Sequence, residues 1–173
     1  MNALELIDKK DLKEFLSKGW ITHDAMWYYN AVNECGIEMG NKLNLSAIQM
    51  MAALEVKRLK KILGTRDKFE RFDELAEFIN GAYDLIITDF MKASFTFPEM
   101  NVFECKWVKD GCFAYQGVKN MGFIEGYQCG VMHRINCWFD SLDIKYVMEP
   151  KIEGCLMQSQ GSCHITYRFF FDK

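Results

Sequence analysis

The stretch "EGYQCGVMHRINCWF", residues 125–139, places Cys129, His133 and Cys137 four residues apart, with glycines beside them. Glu125 and Arg134 are its only full charges. The spacing predicts a helix over about 123–142. At ~100° per residue, Ile124, Tyr127, Val131, Ile135, Trp138 and Leu142 form one sector, the expected core face. Nearly opposite lie Gly126, Cys129, Gly130, His133 and Cys137. A solvated face would carry Lys and Glu, so this second face is also expected to be covered, by the N-terminal helices, a partner subunit or a ligand. Gly122, Gly126 and Gly130 repeat every four residues and admit a close neighbour.

Outward from this helix the hydrophobic period changes. Downstream, "IKYVMEPKIEGCLM", a turn in "QSQGS" and "CHITYRFFF" predict a hairpin. Cys163, Ile165, Tyr167 and Phe169 share a face of its last strand. Upstream, "SFTF" and "NVFECKWV" read as two strands joined through Pro98, with Phe103, Cys105 and Trp107 facing one way; "FAYQGVKNMG" reads as a short helix. Residues 1–91 have helical spacing throughout. Four helices are expected there: a short one stopping at Gly19, one from Thr22 or Asp24, one from a Ser46/Gln49 capping box to Gly64, and one over about 67–90. The last carries the stripe Phe69, Phe72, Leu75, Ile79, Tyr83, Ile86 and Phe90. The expected fold is α+β: an N-terminal helical bundle of about four helices (1–91), then an antiparallel sheet of β-β-α-β-β order packed on a long helix (92–173), together one compact unit.

Composition bounds the function. The chain has 173 residues, half of them hydrophobic, and a net charge of −3. No global basic field recruits nucleic acid, and "EVKRLKK" at 55–61 reads as a solvated helix end whose cations complement the dipole. No apolar run reaches the ~18 residues of a membrane span, and the charged, amphipathic start does not read as a signal peptide. The expectation is a cytoplasmic protein with no nucleic-acid or membrane partner. Its seven cysteines are then free thiols, metal ligands or core residues.

Several side chains are candidates for chemistry. Zinc is a possible cofactor, with Cys129, His133, Cys155 and Cys163 as its ligands. One ion cannot take both Cys129 and Cys137, which stand ~12 Å apart along a straight helix. A Cys129–His133 pair one turn apart suggests a nucleophile and its base. Glu55 falls inside an apolar stripe with Ile48, Ala52, Leu59 and Ile62. It reads either as a desolvated acid/base, with Glu34 facing it, or as a rim residue paired with Lys or Arg. Arg134 suits a ligand carboxylate or a salt bridge. In "HDAMWYY" (23–29), Trp27, Tyr28 and Tyr29 are expected to wedge between helices.

The segment "GFIEGYQCGVMHRINCWFDSLDIKYVMEPKIEGCLMQSQGSCHITYRF" resembles the C-terminal region of bacterial and archaeal cytosolic proteins grouped with L-2-amino-thiazoline-4-carboxylate hydrolases. The likeness rests on Gly126 and Cys129, Glu149-Pro150-Lys151-Ile152, Cys155, and Cys163 with Arg168-Phe169. The N-terminal "HDAMWYYNAVNECGIEMGNKLN" and "EVKRLKKILG" are similar to the same group's helical half. More distantly, the chain resembles the small-molecule-binding domain of vinyl-reductase-like proteins. The resemblance implies an α+β domain with a pocket lined by Cys129, Cys155 and Cys163, and in the hydrolase members opening of a thiazoline ring.

Three functional expectations follow. The first is a small-molecule-binding domain with a pocket between the 123–142 helix and the C-terminal hairpin, lined by Gly126, Gly130, Arg134, Cys155 and Cys163, where Arg134 or His133 orients an anionic group. The second is a hydrolase of a cyclic C–N bond, with catalytic Cys129, His133 and Glu55. The third is a homodimer formed through the soft face of the helix, with no ligand.

Overall fold

A computed structural model describes residues 2–171. Its order is α1 (Lys9–Leu63), α2 (Phe72–Ile86), β1 (Ala93–Thr96), β2 (Val102–Trp107), α3 (Phe113–Asn120), α4 (Gly130–Ser141), β3 (Lys145–Glu149), α5 (Leu156–Gln160) and β4 (Cys163–Phe170), with short 3-10 turns between some of them. The fold is α+β, a helical N-terminal half followed by a four-stranded antiparallel sheet of order β1-β2-β4-β3.

The helical half departs from the expected four helices. Asp8 caps α1 by accepting from the Asp11 backbone N–H at 2.8 Å, and Gly64 ends it in the left-handed conformation (φ 65°). Between them the helix runs through both Gly19 and Ser46. The one interruption is Gly36, at φ 82° and ψ 163°, a backbone state open essentially to glycine alone. There the chain folds back. The Tyr28 hydroxyl donates to Asn41 Oδ1 at 2.9 Å, although 13 residues of straight helix would span ~20 Å. We call residues 9–35 and 37–63 the two arms of α1. The expected helix over 67–90 is shorter: α2 begins only at Phe72, while its stripe Phe72, Leu75, Ile79 and Tyr83 is buried as read.

The sheet follows its alternation. Phe103, Cys105 and Trp107 of β2 and Cys163, Ile165, Tyr167 and Phe169 of β4 are all buried on one face. The other face is mostly polar, with Glu104 between Lys106 (2.7 Å) and His164 (3.4 Å) and Val102, Val147 and Phe170 as its apolar members, as expected of an antiparallel sheet largely wet on one side. The C-terminal hairpin is not tight: β3 and β4 pair from Lys145↔Phe170 to Glu149↔Thr166, but a loop and α5 join them in place of a simple turn.

The long penultimate helix is corrected too. Gly122 turns the chain at φ 83°, Ile124–Gly126 forms one 3-10 turn, and α4 starts only at Gly130 with Cys129 as its N-cap residue. Its two sides are nevertheless both covered. Towards the sheet, Phe139 packs edge-on against Tyr167 with ring centroids 5.1 Å apart, and Tyr167 donates to Asn136 Oδ1 at 2.7 Å. On the other side lies the second arm of α1: a Cβ on Gly130 would meet Ile48 at 2.8 Å, and one on Gly126 would meet Ile37 at 2.8 Å. The cover is the chain's own helix.

Candidate functional site

The residues that line space around α4 fall into two separate hollows. The first, about 250 Å³, lies between the arms of α1, α2, α4 and the first two strands. Its walls are aromatic and aliphatic, among them Trp20, Met51, Tyr83, Phe95, Trp107 and Val131, and its polar groups include Asp24, Asn44 and Arg134. The second, about 260 Å³, lies between α4 and the loop after β3 and includes Cys129, His133, Asn136 and Glu153 in its lining. Gly130 and Arg134 thus belong to one hollow, and Cys129 and His133 to the other. Gly126 packs on Ile37. Cys163 is buried and Cys155 is packed against the core; neither lines either hollow.

At the first hollow, Arg134 is already engaged. Its Nε donates to Glu55 Oε2 at 2.9 Å, and a terminal N–H donates to Glu55 Oε1. The Trp138 indole N–H also donates to Glu55 Oε2, at 2.8 Å. The guanidinium lies over Trp20 (5.2 Å) and Trp138 (5.8 Å), contacts that suit a planar cation. Glu55 is therefore the pairing partner of Arg134, not half of a carboxylate pair; Glu34 is exposed on the other arm. Asp24 makes no hydrogen bond or ion pair among the described residues. Desolvation raises its pKa, partly opposed by Arg134 and His23.

The second hollow does not assemble the expected dyad. His133 Nε2 lies 3.1 Å from the Leu45 carbonyl oxygen and 3.5 Å from Cys137 Sγ. Cys129, at the helix start, is not among the partners of the His133 ring. Burial pushes its thiol up to about 12, and the backbone N–H of Met132 only partly offsets this. Cys163 is likewise raised to about 12 by burial. An activated thiolate needs the opposite shift. Nor do Cys129, His133, Cys155 and Cys163 fit a zinc ion. No three His, Cys, Asp or Glu side chains among the described residues converge on a point that holds a metal, and the His133 ring is turned to a carbonyl. All seven cysteines are free.

The sequence reading missed most of the aromatic wall. Trp20, Tyr83, Phe95 and Trp107 come from four elements, and no local spacing links them. A signal did exist: Glu55 falls inside an apolar stripe, and Arg134 is the one Lys or Arg of α4. No helix among the described residues is long and apolar enough to cross a membrane. No family model, curated protein or solved structure matches the chain.

Proposed function

We propose that this chain is a small-molecule-binding domain whose ligand occupies the apolar hollow beside Arg134. The carrying observation is the space itself: about 250 Å³ walled largely by aromatic and aliphatic side chains, where a protein interior is ordinarily filled. Concave, mostly apolar sites with a few polar groups are the usual form of ligand pockets. The ligand contacts come from the Arg134 side of α4 and the α1 arms, in place of the cysteine side. The polar end disfavours an anion. Glu55 already neutralises Arg134, and Asp24 adds a further carboxylate. An apolar body with a neutral or cationic polar group suits this end better than a carboxylate.

Fluorescence titration with 1-aminoanthracene, an apolar aromatic amine, tests the proposal. Saturable one-to-one binding is expected. Val131→Trp fills the hollow from α4 and is expected to weaken binding by at least about tenfold, or ~1.4 kcal/mol. Absence of saturable binding, or an unchanged affinity in a folded Val131→Trp variant, defeats it.

A further inference from the structure

The first arm of α1, residues 9–35, buries only Tyr28 and Val32. Its side away from the body holds large apolar side chains in water: Phe15 is 70% exposed, Leu16 59%, Met26 45% and Trp27 69%. Trp27 does not wedge between helices. Leu16, Gly19, His23, Met26 and Asn30 follow the alternating three-and-four spacing of a coiled-coil seam, flanked by Phe15, Trp20, Thr22 and Trp27. None of these is Lys, Arg, Asp or Glu. The flanks of a helix seam ordinarily carry Glu and Lys, and a solvent face carries charge of both signs.

We infer that this face pairs with the same face of a second copy of the chain, arm against arm and antiparallel, centred between Gly19 and His23. In that register Leu16 of one protomer meets Met26 of the partner subunit and the small Gly19 lies opposite His23 of the partner subunit, while Phe15 and Trp27 cover the two flanks of the seam. Two-fold pairing sets a surface against itself, so a charged face would repel, whereas an uncharged one has no such penalty. The area is of the right order. With aromatic side chains at roughly 150–250 Å² each, Phe15, Trp20 and Trp27 with Leu16 and Met26 expose on the order of 600 Å² per protomer. A standard interface takes ~800 Å² per partner, within reach once Leu12, His23 and Asn30 join.

A membrane surface suits the arm less well. Lys9, Lys10, Lys13 and Lys18 are matched by Asp11, Glu14, Asp24 and Glu34. Lys13 is committed to the carbonyl oxygens of Asp84 (2.9 Å) and Ile87 (2.7 Å), and Lys18 to Glu14 (2.6 Å). Helices that lie on membranes carry a basic polar face. Trp20 belongs both to this surface and to the wall of the apolar hollow, so a partner seated here reaches the mouth of the hollow.

Sedimentation equilibrium of the full chain tests the pairing. The expected mass is twice the 20.2 kDa of one chain in the micromolar range, and Trp27→Glu is expected to return it to one chain with an unchanged far-ultraviolet circular dichroism spectrum. As a second measurement, Gly19→Cys chains are mixed with His23→Cys chains bearing a tag of different size. Oxidation is expected to link the two kinds in preference to like with like, and this result decides the matter if Trp27→Glu fails to fold. A wild-type monomer throughout the micromolar range overturns the inference, as does a dimer that Trp27→Glu leaves intact or the absence of the mixed cross-link. A monomer that co-sediments with phosphatidylcholine–phosphatidylserine vesicles assigns the face to lipid and overturns it equally.

Discussion

Glu55 takes three hydrogen bonds from two residues, Arg134 and Trp138, on a helix some 80 positions away. With its side chain 18% exposed and that of Arg134 20% exposed, the pair is neither a surface contact nor sealed in the core. Removing one partner leaves the other desolvated, which costs more than the net worth of the pair. Glu55→Ala is therefore expected to lower the unfolding free energy by ~2–4 kcal/mol in urea denaturation. Glu55→Gln should lose less, since an amide oxygen still accepts from Trp138. A loss below ~0.5 kcal/mol for the alanine variant marks the pair as a loose surface bridge. Both residues stood out in the sequence, one as an acid in an apolar stripe, the other as a lone cation. Their meeting did not, because nothing local relates position 55 to position 134.

Among the elements, α1 shows where local signals mislead. Gly19 and the Ser46/Gln49 box read as helix boundaries, yet the helix passes through both. A capping box acts only where the backbone leaves the helix before it, and Ser46 lies inside. Gly19 is helical, and a Cβ there would meet nothing within 4 Å. At Gly36 the backbone itself requires glycine. The two substitutions should move stability in opposite directions. Gly36→Ala is expected to cost ~1–3 kcal/mol, while Gly19→Ala is expected to add up to ~1 kcal/mol through helix propensity. Thermal unfolding of the two variants side by side checks this; a Gly36→Ala protein as stable as wild type removes the special role of the turn. α4 repeats the lesson. Its spacing marked the helix and its covered second face, but Gly122 and the 3-10 turn deleted the first two turns and left Cys129 as the N-cap residue.

At the scale of the molecule, the cysteines act through burial. The thiols of Cys129 and Cys163 are raised to about 12 by desolvation, above the ordinary ~8.5. The folded state holds these protons more tightly than the unfolded state. The associated stability is complete below the ordinary thiol value and is lost as pH rises from there towards the folded value. The urea midpoint is thus expected to be lower at pH 10 than at pH 8, and Cys129→Ala combined with Cys163→Ala should flatten that dependence. A midpoint that stays level up to pH 10 in the wild-type chain contradicts the burial argument.

The amino-acid sequence by itself determined the helical first half, the antiparallel second half and the buried faces of β2 and β4. Those follow from periods of 3.6 and 2 residues, which act between near neighbours. Tertiary structure alone decided which glycine folds α1 back, which acid Arg134 meets, and that Cys129 and His133 open on a different hollow from Gly130 and Arg134. Each of these is a contact or a backbone state set by distant packing, where no sequence period reaches. The aromatic walls of the apolar hollow belong to the same class, because four elements must already be in place before that space exists.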